Sequence, residues 1–318
     1  MKHLLSVFAL LGFALTGHSA PAEEPVVLTV NDSIRLYGTL SLPENTDGSR
    51  VPLVIFVSGS GPTDRNGNNP QMENNSLRML ADSLAAKGIA SLRYDKRGIA
   101  ASRIAGLQQQ TLRIDHYADD LNRWIERYAG DERFGKIVVL GHSEGSLIGL
   151  IAAQDNPKVD GLVSLAGAGR GADKVLKEQL GAQSPLLLAM CTPIIDSLKA
   201  GKTVEKVAPQ LSNLFHPSVQ PYLISWFGYD PQQLIASISC PVLIVQGDKD
   251  IQISTSDAEN LHAANPSARL AIIPGMNHVL KTTDTTDRMA QMVKVYMDPT
   301  LPLNSDLART VAAFVMNL

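Results

Sequence analysis

The chain has 318 residues, 44% of them hydrophobic and 19% charged, a globular composition long enough for one large domain or a domain with an insertion. A formal net charge of -3 with no basic run excludes the electrostatic footprint of a nucleic-acid binder and leaves a small molecule as the expected partner. Cys191 and Cys240 are too few for a disulfide framework and are expected as free thiols; no Cys/His cluster has zinc-like spacing, so neither a metal nor another cofactor is expected.

At the start of the chain, Lys2 and His3 precede an apolar run from Leu4 to Leu15 and the small residues Ala20-Pro21-Ala22. This reads as an export signal, residues 1–22, cleaved after Ala22. The run is shorter than the roughly 20 residues that span a bilayer, so the mature chain is expected without a stable membrane anchor, in the periplasm or outside the cell.

Val26 to Val30 and Ile34 to Leu42 alternate as two strands joined by the turn-forming Asn31-Asp32-Ser33,. Val51 to Val57 is an apolar run of the kind buried on both faces of a parallel sheet, and it empties into the glycine-rich Ser58-Gly59-Ser60-Gly61-Pro62,. A helix is predicted over Asn75 to Lys87, stopped by Gly88; a strand over Ile89 to Tyr94; and an amphipathic helix over Asp115 to Ala129 with Leu121, Trp124, Ile125 and Tyr128 as its stripe,.

Ile137 to Leu140 is another buried strand, and it runs straight into Gly141-His142-Ser143-Glu144-Gly145, with a helical segment from Ser146 to Ala153 beyond. Strand, G-x-S-x-G and helix in that order are the context of a nucleophile elbow, in which a strained turn lifts the serine hydroxyl above the sheet edge. On these residues the chain resembles the α/β-hydrolase superfamily, and the loop Ser58-Gly59-Ser60-Gly61-Pro62-Thr63-Asp64-Arg65-Asn66-Gly67-Asn68 resembles that of a subgroup of exported bacterial serine hydrolases within it. The resemblance covers nearly everything after residue 25.

What that resemblance implies is an α/β-hydrolase fold: a doubly wound, mostly parallel sheet with a helical cap insertion. Residues 23–167 and 240–318 are expected to form the core. From 168 to 239 the alternation of strand and helix breaks, helical segments follow one another between prolines, and the cap is expected there. Its apolar residues, among them Leu186 to Leu188, Tyr222, Trp226 and Phe227, are expected partly to line an acyl or alcohol pocket. The glycine-rich loop stands where the superfamily places half of its oxyanion hole, which implies the backbone N–H of Ser60 as one donor and that of Glu144 as the other. Asp95-Lys96-Arg97-Gly98-Ile99-Ala100-Ala101-Ser102 is similar to the family's D-x-R-G-x-G-x-S turn with Ala100 in place of a glycine; Asp95 and Arg97 are read as structural.

A serine hydroxyl needs a base within hydrogen-bonding reach, itself oriented by a carboxylate. The superfamily order of serine, acid and histidine is available here. Pro241 to Val245 is predicted as a strand leading to Gly247-Asp248-Lys249-Asp250; Asp250 has the family's spacing, with Asp248 its rival unless both acids cap the helix after Ser254. His278 follows the last predicted strand, Leu270 to Ile273, in a loop, whereas His116, His216 and His262 fall in or beside helices and His142 belongs to the elbow's backbone. Helices are predicted over Arg288 to Met297 and Leu307 to Leu318. The function implied is hydrolysis of a small-molecule ester of a small or medium acyl group by Ser143, His278 and Asp250 through an acyl-enzyme. An aminopeptidase of the proline-iminopeptidase type, with an amine-binding acid among Asp173, Glu178, Asp196, Glu205 and Asp230, is the alternative, as is a thioesterase; a non-catalytic binding module is the reading from another class.

Overall fold

The computed structural model describes residues 21–44 and 48–318; the expected export signal, apart from Pro21 and Ala22, lies outside the described residues. Eight strands among these form one sheet: β1 (Ala22–Asn31), β2 (Ile34–Leu42), β3 (Val51–Val57), β4 (Ala90–Tyr94), β5 (Phe134–His142), β6 (Gly161–Leu165), β7 (Val242–Gly247) and β8 (Arg269–Ile273). The spatial order is β1-β2-β4-β3-β5-β6-β7-β8. The β1–β2 and β2–β4 pairings are antiparallel and the rest are parallel. Asn31 makes the opening hairpin: its Oδ1 accepts from the N–H groups of Ser33 and Ile34, each at 3.0 Å, which helps turn the chain back.

Val51–Val57 of β3 and Ile137–Leu140 of β5 are unbroken apolar runs because both faces of the sheet are covered there,. Leu53, Ile55 and Val57 of β3 and Ile137 and Val139 of β5 face one core. That core is closed by α2 (Ile114–Ala129), α3 (Glu144–Ala153) and α9 (Thr255–Ala264). Val54, Phe56, Val138 and Leu140, the alternate residues, face the other, under α1 (Ser76–Ala85) and α11 (Ser305–Val315). A parallel sheet wound this way presents the loops after its central strands at one edge, and those loops carry Ser60, Ser143, Asp250 and His278.

Between β6 and β7 the chain forms α4 (Ala172–Gln183), α5 (Pro185–Lys199), α6 (Ser212–Phe215), α7 (Gln220–Phe227) and α8 (Pro231–Ala236). Leu180, Cys191, Ile195, Leu198, Phe215 and Phe227 make a separate apolar cluster inside this segment. Cys191 sits in that cluster and Cys240 lies against the sheet core, both as free thiols.

The helix predicted over Arg288 to Met297 is not uniform. Only α10 (Arg288–Gln291) is α-helical, and Met292–Tyr296 widens into a π turn. Val295 and Tyr296 of this turn face inward, while Val293 and Met297 stay exposed,. The last helix stops at Val315, short of the predicted Leu318.

Candidate active site

Ser143 occupies the step between β5 and α3 with φ 57° and ψ -120°, a backbone conformation that costs a non-glycine residue on the order of 1–3 kcal/mol. The surrounding glycines explain how the turn closes. A Cβ on Gly141 would lie 2.1 Å from the Gly145 carbonyl oxygen, and one on Gly145 would lie 2.2 Å from that of Val57. The N–H of Ser143 donates to the carbonyl of Leu165 on the neighbouring strand at 2.9 Å, which ties the strained residue to the sheet.

The loop after β8 brings His278 to the serine: its Nε2 is 3.2 Å from Ser143 Oγ, and its Nδ1 is 2.7 Å from Asp250 Oδ2. The second oxygen of Asp250 accepts from the N–H groups of Gln252 at 2.7 Å and Ile253 at 3.0 Å. Burial alone would raise the Asp250 carboxyl; the adjacent His278 and these hydrogen bonds outweigh it and hold the group below its ordinary range,. Since the carboxylate is ionised, Nδ1 carries the proton it donates, and Nε2 presents its lone pair to the serine hydroxyl. Asp248, the rival acid, instead accepts from the Gly275 N–H at 2.7 Å. It does not cap α9 either: Ser254 and Asp257 form that capping box.

His142 does more than continue the elbow's backbone. Its ring centroid lies 4.9 Å from that of His278, and its Nε2 bonds the His278 carbonyl oxygen at 2.9 Å. A carbonyl only accepts, so Nε2 of His142 is the protonated nitrogen. Burial, reinforced by the neighbouring His278, pushes the His142 imidazole down to about 3, so this ring is a neutral strut under the catalytic-type histidine. The remaining histidines lie elsewhere: His116 bonds the N–H of Arg113, and His216 bonds Ser218.

Ser60 stands at the rim beside Ser143, and Glu144 opens α3. Both are tied to one residue that the sequence did not single out. Lys96, 1% exposed, donates from Nζ to the Gly59 carbonyl and to Glu144 Oε1, the latter at 2.9 Å. Across the trans Gly59–Ser60 peptide the C=O and N–H point in opposite directions, so a carbonyl held by Lys96 aims the Ser60 N–H away from it. Gly59 is itself pressed on Ser143: a Cβ there would be 3.3 Å from that of Ser143. Asp95 and Arg97, on either side of Lys96, hold loops as expected, Asp95 through Arg65 and the Ala101 N–H and Arg97 through Asp120. Ala100, where the family carries glycine, keeps a left-handed φ of 42°.

A family model described as Serine aminopeptidase, S33 matches residues 73–219. Esterase EstD of Thermotoga maritima is 25% identical over 261 residues, taking in 80% of this chain and 59% of that protein; the chain thus spans about three-fifths of the length of this curated relative. Solved structures share the architecture. Est1E from Butyrivibrio proteoclasticus superposes with a TM-score of 0.59 at 16% identity, covering 92% of this chain and 98% of that one. The α/β hydrolase GrgF from Penicillium sp. sh18 does so with a TM-score of 0.60 at 20% identity, covering 93% and 98%. The chain has the α/β-hydrolase fold. A proline iminopeptidase from Mycobacterium smegmatis has the same fold, with a TM-score of 0.58 at 16% identity over 92% of this chain and 98% of that one.

In this α/β-hydrolase fold two cavities meet at Ser143. The first lies beneath the helical segment, and Ala172, Val175, Leu176 and Gln179 of α4 contribute to its wall. Those positions are i, i+3, i+4 and i+7, one helical face, and that spacing was the sequence signal available for finding them. Of the apolar residues expected to line a pocket, Trp226 does so, whereas Phe227 is buried in the segment's own core and Leu186 is exposed. The first cavity's charged lining residues are both neutralised. Glu144 is paired with Lys96, and Arg170 is held by Asp257 at 2.8 Å and Glu178 at 2.6 Å. The second cavity lies between the glycine-rich loop and His278.

Proposed function

We propose that this protein is a serine hydrolase of carboxylic esters acting through an acyl-enzyme. The observation that carries the reading is the unbroken line from Asp250 through His278 to Ser143, with bonds of 2.7 and 3.2 Å. Ser143 Oγ attacks the ester carbonyl carbon as its proton passes to Nε2 of His278. Asp250 keeps the imidazole in the tautomer that can accept it. The oxyanion that forms is held by the N–H groups of Ser60 and Glu144, the second at the positive end of α3. Nε2 returns the proton to the departing alkoxide as the carbonyl–oxygen bond breaks, and water, activated by the same histidine, releases the acid and restores Ser143.

The family model and the iminopeptidase neighbour favour a second reading, an aminopeptidase. That chemistry holds a substrate ammonium with a free carboxylate. The carboxylate that lines the cavities is Glu144, already bonded to Lys96, which supports the ester over the amine. Turnover of p-nitrophenyl acetate is expected to fall by about 10⁶ in Ser143→Ala, and turnover of a prolyl-arylamide to stay far below that of the ester in the unmodified protein. Ester turnover that survives the substitution sinks the reading; a prolyl-arylamide turned over faster than the ester moves it to the aminopeptidase.

A further inference from the structure

We propose that the alcohol half of the substrate is uncharged and rich in hydroxyl groups, of the class of glycerol or a sugar, and that it occupies the second cavity while an apolar acyl chain fills the first. The inference rests on the ester-hydrolase reading and deepens it.

The two spaces are about 600 and 620 Å³ with their mouths and open solvent included, and it is not volume that assigns them. The proton path does. A departing alkoxide takes its proton from Nε2 of His278 and must therefore lie on the side where that imidazole is open. His278 borders the second cavity and not the first. The acyl chain, carried by the carbonyl carbon bonded to Ser143, is left with the first.

The linings match that division. Leu147, Val175, Leu176, Trp226 and Ile253 make the first cavity chiefly apolar. In the second, uncharged polar groups converge with capacity to spare. Ser76 is 2% exposed, its hydroxyl makes no hydrogen bond to the described residues, and it borders this space. Asn69 Oδ1 accepts from the Gln71 N–H at 2.9 Å, which leaves its amide N–H₂ free to donate. Gln252 uses its amide nitrogen on the Tyr296 hydroxyl at 3.3 Å and keeps its oxygen as an acceptor. The Thr63 hydroxyl donates to the Ser60 carbonyl and can still accept.

Such a set of mixed donors and acceptors suits neighbouring hydroxyls, each of which both gives and takes a hydrogen bond. None of the residues bordering this cavity is Asp, Glu, Lys or Arg, so a phosphate-bearing thiol leaving group would meet no cation there and an ammonium alcohol no anion. An alkyl alcohol, in turn, would strip water from these groups and replace none of its bonds, which is how a polar site discriminates.

The test compares two butyrate esters with the same carbon skeleton, 2,3-dihydroxypropyl butyrate and propyl butyrate, by titrating the acid released. The dihydroxypropyl ester is expected to have a kcat/KM at least about 10-fold higher. Asn69→Ala/Ser76→Ala is expected to bring that ratio toward one. Val175→Trp, on the opposite side of Ser143, is expected to shorten the acyl chain that is tolerated while the ratio stands. Ser143-dependent turnover with a ratio at or below one, or a ratio indifferent to the double substitution, overturns the assignment of the alcohol alone. No Ser143-dependent turnover of either ester takes down the ester reading with it.

Discussion

Two acid–base pairs lie against Ser143. Asp250 with His278 and Glu144 with Lys96 have almost the same burial, with side-chain exposures of 1% and 5% in the first and 3% and 1% in the second. Both are closed at hydrogen-bonding distance. They differ in what the nitrogen does with its remaining capacity. His278 has a second nitrogen and turns it, unprotonated, to the serine hydroxyl. Lys96 has only donors, and spends one on the Gly59 carbonyl. One pair can therefore move a proton and the other can only fix a peptide plane, so burial and pairing alone do not mark a group as a proton carrier; free valence aimed at the reacting atom does.

The comparison is broken hardest at the first pair. Asp250→Asn preserves shape but leaves Nδ1 without a carboxylate to donate to, favouring the wrong tautomer; kcat for p-nitrophenyl acetate is expected to fall by about 10⁴, with a melting temperature close to that of the parent. A fall of less than tenfold would remove Asp250 from the reaction.

The second pair is expected to respond in two separable ways. Lys96→Met strands the Glu144 carboxylate in the interior and should cost about 3–5 kcal/mol in denaturant unfolding. It also frees the Gly59–Ser60 peptide, which should lower kcat by about 10². The double variant Lys96→Met/Glu144→Gln removes the stranded charge. It is expected to recover most of the stability and little of the rate; recovery of both would reduce Lys96 to a structural ion pair.

The smallest effect concerns His142, which braces the first pair without titrating in it. Its folded value of about 3 lies below the ordinary 6.5, so between those pH values the unfolded chain binds the extra proton. The stability it contributes is complete above pH 6.5 and is lost as the pH falls toward 3, by about 1.4 kcal/mol per pH unit. His142→Gln keeps a donor for the His278 carbonyl and cannot protonate, so the fall in urea midpoint from pH 6.5 to 4.5 should be shallower in the variant. Parallel pH profiles would contradict the buried, neutral ring.

The legible and illegible parts of this molecule divide along the same line. The central strands were readable because β3 and the Ile137–Leu140 stretch of β5 are unbroken apolar runs, and Ser143 because its turn needs glycine at 141 and 145 within a single pentapeptide. Asp250 and His278 could be found from their places after β7 and β8. Lys96 could not, since its partners are 37 and 48 residues away and a lysine between two recognisable turn residues looks like a solvated one. His142 was passed over because the motif that contains it assigns roles to its neighbours only. The π turn at Met292–Tyr296 escaped because hydrophobic spacing presumes 3.6 residues per turn, and Tyr296 is drawn inward by a hydroxyl contact to Gln252 that no local pattern encodes.

Ser60 and Gln252 border both rooms beside Ser143. A bulkier residue at either position would narrow the two entrances together, so attempts to retune this protein by substituting there would trade one preference against the other. Independent adjustment has to come from walls that the two rooms do not share: the inner face of α4 for one, and the loop carrying Asn69 together with the start of α1 for the other.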